Sequence, residues 1–192
     1  MLPDRQEPSM SQALDTLRHE HDAILSTLKI LRCMAERALQ GNADADADAG
    51  DIAALLGFLQ EFVDKCHHGK EEGLLFPALQ RVGLAHQGEL VGELIAEHEQ
   101  GRALVGALRQ ASTPVLDAEA FAAAARTYAE FLERHIDKEN DVLFPQAEQA
   151  LRADELEALQ QAFADFELQV IGQGRHEELH DLLHRWKAAY LG

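Results

Sequence analysis

His67-His68-Gly69-Lys70-Glu71-Glu72-Gly73-Leu74-Leu75-Phe76-Pro77 and His135-Ile136-Asp137-Lys138-Glu139-Asn140-Asp141-Val142-Leu143-Phe144-Pro145 are two versions of one pattern. Each holds a His, three residues, a Glu and then Leu-Phe-Pro at the same offsets. Residues four apart on a helix share a face one turn apart, so an imidazole nitrogen and a carboxylate oxygen converge on one point. Weaker echoes, Glu20-His21-Asp22 and Glu97-His98-Glu99, precede the two copies. The chain reads as two degenerate halves, each a helix pair supplying one lone His and one His-x-x-x-Glu.

Working outward, the apolar spacing is helical throughout. Leu14, Leu17, His21, Leu25, Leu28, Leu31, Ala35 and Leu39 form one stripe from Ser11 to a stop at Gly41. Residues 41–50, an Ala-Asp alternation, read as a flexible acidic linker. A second helix is expected from Asp51, as N-cap, to Phe76, where Pro77 breaks or kinks it. A third covers Gln87 to Gln110. A fourth runs from Asp117 to Glu148 with Phe121, Ala125, Tyr128, Leu132, His135 and Val142 on its buried stripe. A fifth segment starts at a capping-box-like Asp154-x-x-Glu157 and reaches Tyr190, with a weak point at Gly172 and Gly174. Period-2 alternation and β-branched clusters are absent. The expectation is all-α: an antiparallel up-down four-helix bundle over residues 11–150, a flexible tail over 1–10, and a C-terminal helical extension over 151–192 packed on the bundle.

Composition limits the function. Asp and Glu number 34 against 17 Lys and Arg, a formal net charge of −17. That field repels nucleic-acid phosphates and anionic lipid and attracts cations. No apolar run has the length of a membrane span. Residues 1–10 carry charges and prolines in place of a signal-peptide core, and two cysteines, Cys33 and Cys66, make no disulfide framework. The expectation is a cytoplasmic protein with neither nucleic-acid nor membrane partner.

Four His and two Glu, namely His21, His67, Glu71, His98, His135 and Glu139, fall in the bundle core. The set suits two metal ions with carboxylates free to bridge them, and mixed imidazole and carboxylate donors favour iron or manganese over thiolate-rich structural zinc. His68 and Glu72 share the spacing of His67 and Glu71, but aligning the halves on Lys70/Lys138 matches them to Ile136 and Asn140, which mirror no ligand pair. They read as neighbours or supports of the ligands. Without a metal, burying this set would leave unsatisfied donors and two costly carboxylates.

The order His21, His67-x-x-x-Glu71, His98, His135-x-x-x-Glu139, with Leu-Phe-Pro after both pairs, resembles the hemerythrin-like (HHE cation-binding) domain family over about residues 12–150. The resemblance implies a four-helix bundle with a non-haem di-iron centre, its irons joined by an oxo or hydroxo bridge, that binds or reacts with dioxygen, peroxide or nitric oxide. Manganese is the lesser alternative. The chain departs from the oxygen carriers of that family at two places. Their second third-helix His is Arg102 here, and their last pair, His-x-x-x-x-Asp, is His135-x-x-x-Glu139. Losing one His opens a coordination position and points to a type other than the oxygen carriers.

Three readings follow. In the first, the centre binds or turns over a small oxidant, with Glu72 as the one free acid near it and Tyr128 as a pocket wall; the residues do not decide whether this is an enzyme. In the second, the chain holds iron or senses redox state or oxygen and signals to a protein partner, or to another copy of itself, through the fifth helix. In the third it is a plain interaction bundle. His176, His180 and His184 share one face of the extension and read as an exposed stripe partnered by Glu177, Glu178 and Asp181.

Overall fold

The computed structural model describes residues 11–41, 45–83 and 85–192, and the side chains of all of these except 45–48 and 85–88. The expected tail over residues 1–10 lies outside them. The fold is all-α, with no strand among the described residues. Helix α1 (Gln12–Gln40) is capped by the Ser11 hydroxyl, which accepts from the Leu14 N–H, and ends on Gly41, whose φ of 64° only glycine adopts without strain. A second long run comprises α2 (Ala45–Phe58), a π-helical stretch over Leu59–His68, a second over Glu71–Leu75, and α3 (Phe76–Arg81). Then come α4 (Ala85–Ser112) and α5 (Ala118–Lys138), the latter capped by Asp117, which accepts from the Ala120 N–H. A π-helical stretch over Glu139–Leu143 joins α5 to α6 (Phe144–Ala150).

Cross-helix pairs set the directions. Arg18 pairs with Glu148 and Arg32 with Glu133, so α1 runs antiparallel to α5 and α6. Gln60 meets Arg109 and Asp64 meets Arg102, so the second run is antiparallel to α4. Lys138 reaches Glu93 and Glu97, which sets α5 against α4. Two apolar layers result. One holds Ile24, Leu28, Leu31, Phe62, Phe121 and Leu132; the other holds Leu14, Leu17, Leu75, Phe76, Phe144 and Phe163. The His and Glu residues of the repeat lie between them along every helix.

Several expectations are corrected. The acidic linker assigned to 41–50 is helical from Ala45, so Asp51 sits inside α2 and is no N-cap. Its carboxylate instead accepts from Trp186 Nε1 (3.3 Å) and the Tyr190 hydroxyl (2.6 Å), anchoring the C-terminus. Pro77 does not end its helix. Proline lacks an N–H and its ring crowds the carbonyl four residues back; a π turn just before it, closed by the Phe76 N–H on the Glu71 carbonyl, moves the hydrogen bonds out by one residue and lets α3 continue. The same device precedes Pro145, with the Phe144 N–H on the Glu139 carbonyl. Leu39 (52% exposed) and Val142 (39%) leave their expected buried stripes, Leu39 because it lies in the last turn of α1 and Val142 because the π turn rotates it outward.

The C-terminal extension forms two helices, α7 (Ala153–Val170) and α8 (Arg175–Tyr190), broken at Gly172 and Gly174, both with positive φ. The cap of α7 lies two residues earlier than expected, where Glu155 accepts from the Arg152 N–H. α7 packs on α1 and on the π-helical stretches; α8 lies along α1, with Trp186 edge-on to Phe58. Replacing Asp51 with Ala removes the acceptor of the buried Trp186 N–H. It is expected to lower stability by about 1–3 kcal/mol in urea titrations and to red-shift Trp186 fluorescence before global unfolding.

Candidate metal centre

Between the two apolar layers, seven side chains from four helices converge. His68, Glu71, His98 and His135 form one group, and His21, His67, Glu71 and Glu139 a second; within each, one donor atom per residue lies within 4.8 Å of all the others. Glu71 belongs to both. Its two oxygens lie 3.7 Å from His67 Nε2 and 3.4 Å from His98 Nε2. Glu139 lies 3.1 Å from His21 Nε2, 3.3 Å from His135 Nε2 and 3.8 Å from His98 Nε2. The Nε2 atoms of His98 and His135 face each other at 3.1 Å. All seven residues are buried.

His21 Nε2, both ring nitrogens of His68 and all four carboxylate oxygens of Glu71 and Glu139 are buried without a hydrogen-bond partner; among the described residues only His176 Nδ1 shares that condition. Two carboxylates withdrawn from water cost several kcal/mol each unless positive charge sits beside them. Imidazole and carboxylate donors aimed at two points, with one carboxylate common to both, fit a pair of divalent or trivalent cations.

The protonation equilibria express the same demand. Burial works against charge on His98, but the carboxylates of Glu139, Glu71 and Glu72 outweigh it and raise its pKa to about 11. His21 is likewise raised against burial by Glu139 and Glu71. Glu139 is held well below the usual carboxylate range, against its own burial, by His135, His21 and His98. His68 goes the other way. Burial, aided by the neighbouring histidines, drives its pKa well below 6.5, so it is neutral and one of its ring nitrogens carries a free lone pair.

The outward nitrogens are tied down, and the ties obey the repeat. His67 Nδ1 donates to Glu20 and His135 Nδ1 to Glu97, both at 2.8 Å. His21 Nδ1 donates to Asn140 at 3.0 Å and His98 Nδ1 to Glu72 at 2.7 Å. Lys70 pairs with Glu20, and Lys138 with Glu97. Phe144 stacks on His21 (5.4 Å) and Phe76 on His98 (5.8 Å). Such contacts fix ring orientation and aim Nε2 inward. Glu20, Glu97 and Asn140 were missed by sequence reasoning. The recurring Glu-His pairs and the recurring Lys held the signal.

The correction with most chemical weight concerns His68. Read as a neighbour because its counterpart is Ile136, it enters the first group as a fifth histidine. The π-helical stretch that ends at His68 has no counterpart in the second half, where the chain is α-helical to Lys138. A wider turn shortens the angular step between adjacent residues, and His67 and His68 both reach the interior. The position left by Arg102 therefore does not reduce the histidine count. Arg102 instead binds Glu72 (2.7 Å) and Asp64 (2.6 Å) at the rim. Tyr128 stays outside both groups. It is buried in the apolar layer, its phenol held protonated chiefly by burial, and lines a cleft of about 270 Å³ that reaches His68 beside Val63, Gly101, Arg102 and Val105.

The other candidates fall elsewhere. Cys66 is buried and its thiol is pushed up to about 12 by burial, leaving it protonated and unreactive. It approaches Glu20 and Glu167, but the Lys70 ammonium pairs with both carboxylates there. His184 is exposed; His176 and His180 are half-buried, and His176 pairs with Glu167 at 2.7 Å, not with the acids of its own helix.

A family model described as Hemerythrin HHE cation binding domain matches residues 12–147. Two similar curated proteins, uncharacterized proteins of Mycobacterium bovis and Mycobacterium tuberculosis, are each 27% identical over 177 residues, covering 88% of this chain. The chain spans 66% of their length. No solved structure matches it. Among the described residues no helix is long and apolar enough to cross a membrane. Because Glu71 serves both groups, Glu71→Gln is expected to lower the metal content of the chain more than His68→Ala, which touches one group; metal content per chain after gel filtration, by atomic absorption, distinguishes the two patterns.

Proposed function

The chain belongs to the hemerythrin HHE cation-binding domain family, and on that premise we propose that it holds two iron ions and binds or reacts with a small oxidant: dioxygen, peroxide or nitric oxide. The observation that carries this reading is the pair of donor groups joined at Glu71, whose carboxylate oxygens have no hydrogen-bond partner. His68, His98 and His135 would hold one ion and His21, His67 and Glu139 the other. A bound iron pair supplies electron exchange and Lewis acidity to a small ligand.

The chain's own residues do the rest. Glu20, Glu97, Asn140 and Glu72 hold four imidazoles by Nδ1 and keep Nε2 pointed inward. Phe76, Phe144 and the two apolar layers exclude bulk water, which strengthens every charge interaction within. The cleft of about 270 Å³ beside Tyr128 reaches His68 and has room for a small ligand on that side. Glu72, bound to His98 Nδ1 and Arg102 and part-exposed, is the acid placed to exchange a proton with solvent at the rim.

A second reading, iron holding or redox and oxygen sensing through a partner surface, draws support from the ion pair that ties α7 to Lys70 beside the site. Protein purified in air without added metal is expected to carry about two irons per chain with near-ultraviolet absorption. Iron-loaded protein is expected to consume peroxide faster than the same amount of free iron. A rate no better than free iron removes the peroxide-consuming version, and zinc in place of iron removes the di-iron reading.

A further inference from the structure

The two halves build the same support around their histidines, and one difference between them is large. In the second half Lys138, 30% exposed, pairs with Glu97 and at 3.4 Å with Glu93, itself 64% exposed. In the first half Lys70 is 0% exposed, and its second carboxylate, Glu167 at 2.8 Å, comes from α7. Glu167 lies beyond the residues matched by the family model. Its other oxygen meets His176 Nδ1 of α8 at 2.7 Å. A continuous chain of polar contacts therefore runs from α8 and α7 through Glu167, Lys70 and Glu20 to His67.

The surface beneath α7 is shaped for it. A Cβ on Gly69 would stand 2.8 Å from the Phe166 ring, and one on Gly73 4.0 Å from it. The repeat places exposed Asp137 and Asp141 at the corresponding positions of the second half. Where α7 lies the helix presents glycines, and where it does not the helix presents solvated carboxylates. Cys66 is buried three residues before Gly69, with its sulfur within 4.8 Å of an oxygen of Glu167.

We propose that Glu167 is a positioning residue which, with Phe166 seated on Gly69, fixes His67 through Lys70 and Glu20 at the floor of a cleft of about 560 Å³ between α1 and the extension, so that the C-terminal extension slows loss of metal from the His21–His67 side relative to the His68 side. The two positions thereby differ in how readily they exchange as well as in their ligands. This rests on the proposed two-metal function.

The test uses the full chain loaded with iron and challenged with excess chelator. The wild type is expected to lose iron in two phases, the slower from the His21–His67 side. Glu167→Gln is expected to quicken only the slow phase, by about tenfold, and Glu167→Asp to recover part of the delay. Glu93→Gln, its counterpart beside Lys138, changes neither phase. A purely structural role would quicken both phases together and would overturn the inference. A second arm needs no metal: in a Cys33→Ser background, Gly69→Ala, which forces Phe166 away, is expected to speed labelling of Cys66 by a thiol reagent by about tenfold or more over its parent. Unchanged labelling overturns the inference, as does faster labelling with an unchanged slow phase. A wild-type chain that loads about two irons while Glu167→Gln matches it overturns this inference alone; one that takes up no iron overturns the proposed function with it.

Discussion

Two carboxylates, Glu71 and Glu139, sit between two apolar layers with every oxygen lacking a hydrogen-bond partner. A globular protein tolerates that arrangement only where positive charge is supplied to the same spot. The rest of the interior is organised around that requirement. Histidines crowd the carboxylates, His98 and His21 take on raised basicity, and the outward nitrogens are anchored by acids that are in turn held by Lys70, Lys138 and Arg102. Charge alternates outward from the centre, shell by shell, until it reaches solvent.

The internal repeat explains how one chain assembles this without a long list of unrelated contacts. Each half contributes a Glu-His, a His-x-x-Lys-Glu and a Phe-Pro, and each of these does in one half what it does in the other. Glu20 and Glu97 orient histidines of the following helix, Phe76 and Phe144 stack on histidines of the preceding or opposite half, and both prolines follow a π turn. Function in such an arrangement comes from the departures. His68 against Ile136, and Gly69 and Gly73 against Asp137 and Asp141, are the departures that distinguish the two ends of the site.

The helices and the bundle were legible because apolar spacing and Pro and Gly punctuation act locally, and the candidate centre because identical spacings recurred. The same repeat logic concealed His68, since a residue whose counterpart is Ile136 looks incidental until the wider turn before it is known. Asp51 read as a helix cap because that is what Asp does next to a loop; its partners, Trp186 and Tyr190, lie far along the chain, where no local pattern reaches. Glu167 was hidden for the same reason. Contacts between a core and an appended segment leave little periodic trace, although the glycines at 69 and 73 were visible as a broken symmetry.

The π turns have a consequence for how the site is written into chain length. A widened turn contains a residue that a regular helix of the same reach would omit, so the reach of the stretch to His67, His68 and Glu71 is set by how its residues are wound as well as by how many there are. Removing one residue between Leu59 and Val63 would let that turn relax to an α-helix of about the same reach, leaving the downstream face in register and taking away only the local widening. Substitutions test the donors one at a time; a single deletion there tests the widened turn itself while leaving the composition of the centre untouched.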